Sequence, residues 1–528
     1  MDHRFADRRA VLAAAGGMLL LGGPMGDRAW AAPVFPDHPF ALGVAAGDPW
    51  PDGFVIWTRL APRPLEPHGG MPALAVVVRW EVAEDPRFAR IVRSGEALAR
   101  PELAHSVHVE VSGLRPQRPY WYRFRIPGGE VSSAGTARTA PGAAETPARL
   151  RLASAGCQHF QAGHYTAWRH LSLESDLDAI FHYGDYIYEG GALAQPPTIE
   201  DAAGRPLDRR HIGGETYSLD DYRLRYAQYK TDPDLQAAHA AAAFITSFDD
   251  HEVDNNWASD FDQDGTPPAV FHLRRAAALQ AWYEHMPVRR AQFPVGGGVR
   301  MFRRLDYGRM LRMHVLDTRT YRSDQLCEHP GQANCRGEDG PQATMLGPVQ
   351  EAWLGEGLKS GARWNLIAQQ VFVMPANRRF ADGRFQPGGG DTWNGYPAAR
   401  RRLVQAISAA NLRNVVIATG DAHIHAVGVV PLRDDEPDGP AAATEFLATS
   451  ISSGGDGAPE TEGTRAMLAG SPNIRLVNAQ RGYQLFDVAA DEWRTDVKVV
   501  DTIQRPGGAL TTLARFAVSP ERPGLDRR

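Results

Sequence analysis

Long hydrophobic runs, blocks of one charge and the common nucleotide or nucleophile motifs are all missing from this chain. Lys and Arg total 57 against 62 Asp and Glu, a formal net charge of −5 with no basic block, which excludes a general nucleic-acid binder. Beyond the first residues no stretch reads as a bilayer span. There is no P-loop and no Gly-x-Gly-x-x-Gly, so phosphate cradling by a glycine-rich loop has no support. No serine sits in a Gly-x-Ser-x-Gly elbow, which removes the esterase-type triad. Cysteine is scarce, three in 528 residues. Cys327 and Cys335 flank a loop containing Gly, Pro and Asn and are close enough to pair in an oxidising compartment. Cys157 is left alone, either as a buried inert thiol or as a metal ligand.

What is present begins with an export signal. Arg8-Arg9 opens an apolar run through Leu21, broken by Gly16, Gly17, Gly22 and Gly23 and therefore too weak for an anchor. Ala29-Trp30-Ala31 offers the small residues a signal peptidase reads, so residues 1–31 are expected to be a twin-arginine-type signal peptide and the mature protein periplasmic or secreted. At 528 residues the rest exceeds one ordinary core, and two domains are expected. Residues 36–145 read as a small all-β, fibronectin/Ig-like sandwich of short alternating runs, with Tyr120 placed to tie a corner. A Pro/Ala-rich linker follows, and residues 148–515 alternate strand with helix, an α/β catalytic domain.

Six apolar runs in that domain end in reactive side chains. They close on Cys157, on Gly184-Asp185-Tyr-Ile-Tyr188-Glu189, on Asp249-Asp250-His251-Glu252, on Asp317-Thr-Arg319, on Gly420-Asp421-Ala-His423-Ile-His425 and on Thr449 to Asp456. Any one of them has a plain explanation, since Asp185 alone could cap a helix. Together they describe an α/β sheet whose strand ends converge on one polar site. Helices are expected over Leu219–Lys230, His272–His285 and Gln350–Leu358, and the Gly-rich stretch from Arg379 to Gly395 reads as an active-site loop. The residues gathered are a thiol, carboxylates, phenols, imidazoles and the amides of Asn255 and Asn256, which is the chemistry of a metal centre. A phenol binds well only as phenolate, and its ordinary pKa of about 10 demands a strong Lewis acid. Thiolate, phenolate and carboxylate together favour ferric iron. An oxygen-rich second site suits calcium, magnesium or manganese.

These segments, with Ala155-Gly-Cys157-Gln, Leu316-Asp317-Thr-Arg319, Trp393-Asn-Gly395-Tyr396-Pro397 and the opening Gly43-Val-Ala-Ala-Gly-Asp48-Pro, run in order over nearly the whole mature chain. In them the sequence resembles the PhoD-like alkaline phosphatase family of the metallophosphoesterase superfamily. The resemblance implies a four-layer α/β/β/α catalytic domain and an exported phosphodiesterase/alkaline phosphatase using Fe3+ and Ca2+. By position, Cys157, Asp185 and Tyr188 would hold iron, and Asp185 would bridge to calcium held by Asp250, Asp421 and an amide, Asn256 being the expected one of the pair. His423 would complete the cluster. His251 would assist the leaving group, and Arg319, with Arg322, would pin phosphate oxygens unless the two form a surface ion pair. Where the family often has Trp-Asp-Gly-Tyr, Asn394 stands here, which removes one carboxylate near the substrate.

The expected reaction is metal-assisted attack of water on a phosphate monoester, diester or phospholipid by a monomer exported through the twin-arginine machinery. Three rivals stand beside it: a phospholipase D-type diesterase, an iron redox enzyme, and a non-catalytic binder working through its β-sandwich.

Overall fold

The molecule, in a computed structural model, is described for residues 35–325, 340 and 342–527. The Arg8-Arg9 leader and the Cys327/Cys335 pair lie outside the described residues. Two large sheets carry the chain. The first has ten strands, with Leu150–Ala155, Ala179–His182, Ala243–Thr246 and Val44–Trp50 running parallel at its centre. The second has seven, with Leu311–Val315, Trp364–Ala368, Val415–Thr419 and Ala441–Leu447 parallel. All four residues of Ala179–His182 and all five of Val415–Thr419 are buried, as parallel strands covered on both faces must be.

The six expected strands are all present, and they divide three and three between two sheets. A strand not read from the sequence, Trp364–Ala368, fills the gap between Leu311–Val315 and Val415–Thr419. Its five residues carry no alternation, and a run that short cannot be told from a buried helix by pattern. Alternation returns in its packing. Leu366 and Ala368 join the core shared with the first sheet, while Ile367 joins Val415, Ile417 and Leu447 against Leu403 and Ile407 of the helix Pro397–Ala409.

The N-terminal β region is built differently from a free-standing sandwich. Val76–Ala83, Ile91–Ala99, Pro119–Arg125 and Gly135–Arg138 make a four-stranded antiparallel sheet, and Tyr120 ties its corner by accepting the Arg115 N–H at 2.9 Å. The strands Val44–Trp50, Gly53–Arg59 and Ser106–Val111 instead extend the first large sheet, with Ala46 opposite Ala243 in parallel register. Asp48, fully buried, locks the junction through a two-pronged pair with Arg303, at 2.7 and 2.8 Å. At the other edge Gly482–Val488 pairs antiparallel with Leu150–Ala155, and strands continue to Arg527, past the expected end at 515. Three expected helices occur, as Leu219–Lys230, Pro268–His285 and Gly347–Leu358. No helix among the described residues is long and apolar enough to cross a membrane.

A buried acid staples the second sheet. Glu445 accepts the N–H groups of Val373 and Met374, at 3.0 and 2.6 Å, and the Thr419 hydroxyl at 2.8 Å. Burial pushes its carboxyl from 4.5 up to about 7, although those bonds pull the other way. A raised folded-state value means the folded chain holds the proton more tightly. The stabilisation is complete below about pH 4.5 and is lost as pH rises through about 7. Glu445→Gln is therefore expected to gain about 2–3 kcal/mol relative to the parent across that interval, read from urea unfolding at each pH. A pH-independent difference between the two proteins would refute the assignment.

Candidate metal centre

Both sheets aim the carboxyl ends of their parallel strands at one cleft. Cys157 follows Leu150–Ala155, Asp185 follows Ala179–His182, and Asp249 and Asp250 follow Ala243–Thr246. From the second sheet come Arg319, Asp421, His423 and the serines Ser450, Ser452 and Ser453. The turns bearing Cys157 and Asp185 are tied directly, since Cys157 N–H donates to Gly184 O and Gln158 N–H to Asp185 O, each at 3.0 Å. The ring of Tyr183 is the spacer between the sheets. A Cβ on Gly156 would come within 2.4 Å of it and one on Gly420 within 2.2 Å, so neither position admits a side chain.

The backbone marks the same place. Fourteen non-glycine residues among those described have positive φ, and five are expected ligands: Cys157 (52°), Asp185 (54°), Asn256 (54°), Asp421 (67°) and His423 (54°). Such strain, of order 1 kcal/mol each, persists where the surroundings over-determine it and gathers at functional sites.

Three overlapping groups result, each with ligand atoms within 4.8 Å of one another: Cys157, Asp185 and His423; Asp185, Asp250 and His251; and Asp249, Asp250 and Asp421. Asp185 belongs to the first two and Asp250 to the last two. Tyr188 joins the first group, its hydroxyl donating to Asp185 Oδ2 at 2.9 Å and lying 3.0 Å from His423 Nε2. Asp185 Oδ1 and Asp250 Oδ1 are buried with no hydrogen-bond partner.

Charge is crowded here. Burial, then Asp250 and Asp249, pushes the Asp185 carboxyl well up. Burial and the same two neighbours do so for Asp421. Burial raises the Cys157 thiol and the Tyr188 phenol, each pushed further by Asp185, and lowers His423 to about 3. Asp250 stays ionised because Arg319 and His251 outweigh its burial. A cation placed among these groups reverses each cost, which is the electrostatic signature of a metal site.

Family models match the chain in the same order as its architecture: the PhoD-like phosphatase N-terminal domain over residues 27–141 and the PhoD-like phosphatase over 152–497. The chain belongs to the PhoD-like phosphatase family. Alkaline phosphatase D of Bacillus subtilis (strain 168) is 42% identical over 496 residues, which cover 94% of this chain and 83% of that protein. A solved structure of PhoD superposes with a TM-score of 0.86 at 41% identity, covering 94% of this chain and 93% of that one. As a PhoD-like phosphatase, the chain is a hydrolase acting on phosphoric ester bonds.

Several of the polar residues gathered from the sequence sit outside the three ligand groups of this PhoD-like phosphatase. The Asn255 amide donates to Gln263 at 2.7 Å, away from the cluster, whereas Asn256 donates its backbone N–H to Asp250 Oδ2 at 2.9 Å. His425 is packed, with Nδ1 accepting from Thr449 N–H at 3.3 Å and Nε2 lying 3.2 Å from Lys498 O. Arg319 and Arg322 form no surface pair, because both are buried. Arg319 binds Asp249, grips Asp391 with both terminal nitrogens at 2.8 Å, and brings Nη2 to 3.6 Å from Asp250 Oδ1. Arg322 holds the same Asp391. The Gly-rich loop thus brings Asp391 against both arginines, while Asn394 accepts Ala376 N–H at 3.2 Å.

Other residues escaped the sequence reading. Ser453 donates to the Tyr188 oxygen at 2.6 Å and lies 2.8 Å from Cys157 O, while Arg481 braces the loop through Ser450 Oγ and Ser453 O. Fully buried Glu252 accepts the N–H groups of Asp185 (3.0 Å), Tyr186 and Asp249 (2.7 Å), fixing the turn that presents Asp185. Glu252→Gln sets an amide NH2 against those donors. It is expected to cost about 1–3 kcal/mol, seen as a lower melting temperature. An unchanged melting temperature would show that the three bonds do not hold the turn.

Proposed function

We propose that this PhoD-like phosphatase is an exported phosphodiesterase/alkaline phosphatase built around a ferric iron–calcium cluster. The observation that carries the reading is the chain of three ligand groups linked through Asp185 and Asp250, with a thiol and a phenol at one end and carboxylates alone at the other. The residues fit two unlike cations. Two buried carboxylate oxygens lack a hydrogen-bond partner, the soft and phenolic donors suit iron, and the oxygen-only end suits calcium. Cys157, Asp185, Tyr188 and His423 would hold iron. Asp185, Asp250, Asn256 and Asp421 would hold calcium. When bound, the cations would supply Lewis acidity, activating water and neutralising charge on the phosphoryl oxygens.

The chain's own groups do the rest. His251, its pKa raised by Glu189, Asp250 and Asp185 despite burial, is suited to serve the departing alcohol. Arg319 offers the cluster only its Nη2 edge, so it balances carboxylate charge first and meets a phosphate oxygen from that edge alone. Among the described residues no serine or cysteine is activated as a nucleophile, so direct attack by water is favoured over a phosphoenzyme. Packing of helices outside two facing sheets supports the α/β/β/α layering, and Arg8-Arg9 with Ala29-Trp30-Ala31 supports twin-arginine export to the periplasm or beyond. Asp185→Asn is expected to abolish bound iron by elemental analysis together with hydrolysis of a chromogenic phosphate diester. Full activity without iron, or full iron and activity in the variant, would sink the reading.

A further inference from the structure

His251 is gripped on one side only. Its Nδ1 lies 2.7 Å from Glu189 Oε2, and Glu189 Oε1 accepts the Asn255 N–H at 2.9 Å, so both carboxylate oxygens are engaged. The imidazole rests on the ring of Tyr188, with centroids 4.1 Å apart. The Glu189 side chain is only 8% exposed, and it belongs to none of the three ligand groups. A carboxylate can only accept, so Nδ1 carries a proton toward it and Nε2 is the ring nitrogen left for the reaction. A ring nitrogen of His251 already lies within 4.8 Å of oxygens of Asp185 and Asp250.

We propose that Glu189 is a positioning residue: it fixes the orientation of His251 so that Nε2 faces the oxygen of the departing alcohol. This rests on the reading that His251 serves the leaving group. In that step the water oxygen forms the new bond to phosphorus, and the bond from phosphorus to the alcohol oxygen breaks. The bonding pair passes to the alcohol oxygen, which takes the Nε2 proton. The water's proton passes to solvent, from which the ring is reprotonated. Glu189 touches none of the reacting atoms. Its effect is orientation, and a group aimed this way matters most when the leaving alcohol is a poor one.

The test uses the full-length, metal-loaded enzyme and aryl phosphate diesters whose leaving groups run from nitrophenol to unsubstituted phenol. His251→Ala comes first. If its losses are equal across the series, the role of His251 itself fails, and the inference with it. If they grow toward phenol, Glu189→Gln is expected to lose about 10–100-fold on the phenyl ester and only a few-fold on the nitrophenyl ester. Iron and calcium content should stay at parental levels, and in the His251→Ala background the substitution should cost nothing further. Glu189→Asp, which keeps the charge on a shorter arm, should fall between and serves if the glutamine variant does not fold. Equal losses across leaving groups, loss of metal, or full additivity in the double variant would overturn Glu189's part while leaving that of His251 standing.

Discussion

Three carboxylates, Asp185, Asp249 and Asp250, are packed out of water, and with the partly exposed Asp421 they surround one guanidinium, that of Arg319. An isolated ionised carboxylate is costly to bury, and such groups neutralise themselves unless a counter-charge is supplied. Arg319 cannot balance four, and it spends part of its charge on Asp391. Even with His251 beside Asp185 and Asp250, carboxylate charge is left unmatched, and the Asp185 and Asp421 carboxyls are pushed well up. Cys157 and Tyr188 are likewise disfavoured as anions, by burial and by Asp185; on the proposed reading, the proton they hold too tightly alone is the one a cation would displace.

Placing so many like charges together requires elements that tolerate no slack. Parallel strands from two sheets end on the same cleft, and Tyr183, wedged against Gly156 and Gly420, sets the distance between them. The left-handed turns at Cys157, Asp185, Asp421 and His423 then rotate side chains inward that an extended continuation would send alternately to either face. The strain in those turns is offset by the large shared core, in which Trp168, Trp282 and Trp364 are fully buried.

Strand ends were legible in the sequence because a short apolar run that stops at Asp, Cys or His has no reason in packing alone. The joining of Val44–Trp50 to the first large sheet was not, since Ala46 meets Ala243 through a pairing that no local pattern encodes. The same holds for Asp391. It lies in a stretch with no periodicity, and its meaning comes from two arginines about seventy positions away in the chain. Ser453 and Arg481 are likewise defined by what they touch.

The two acidic loops also exchange glutamates. Glu252, from the Asp249–Asn256 loop, accepts the N–H groups of Asp185 and Tyr186, while Glu189, from the Asp185 loop, holds His251 and the Asn255 N–H. Neither loop is fixed by its own hydrogen bonds alone; each is held by an acid of the other. The two loops are thereby coupled in one hydrogen-bonded network rather than held by independent contacts. Such reciprocal bracing lets the ligand turns keep their geometry against the mutual repulsion of their carboxylates. It also joins the arm that presents Tyr188 to the arm that presents His251.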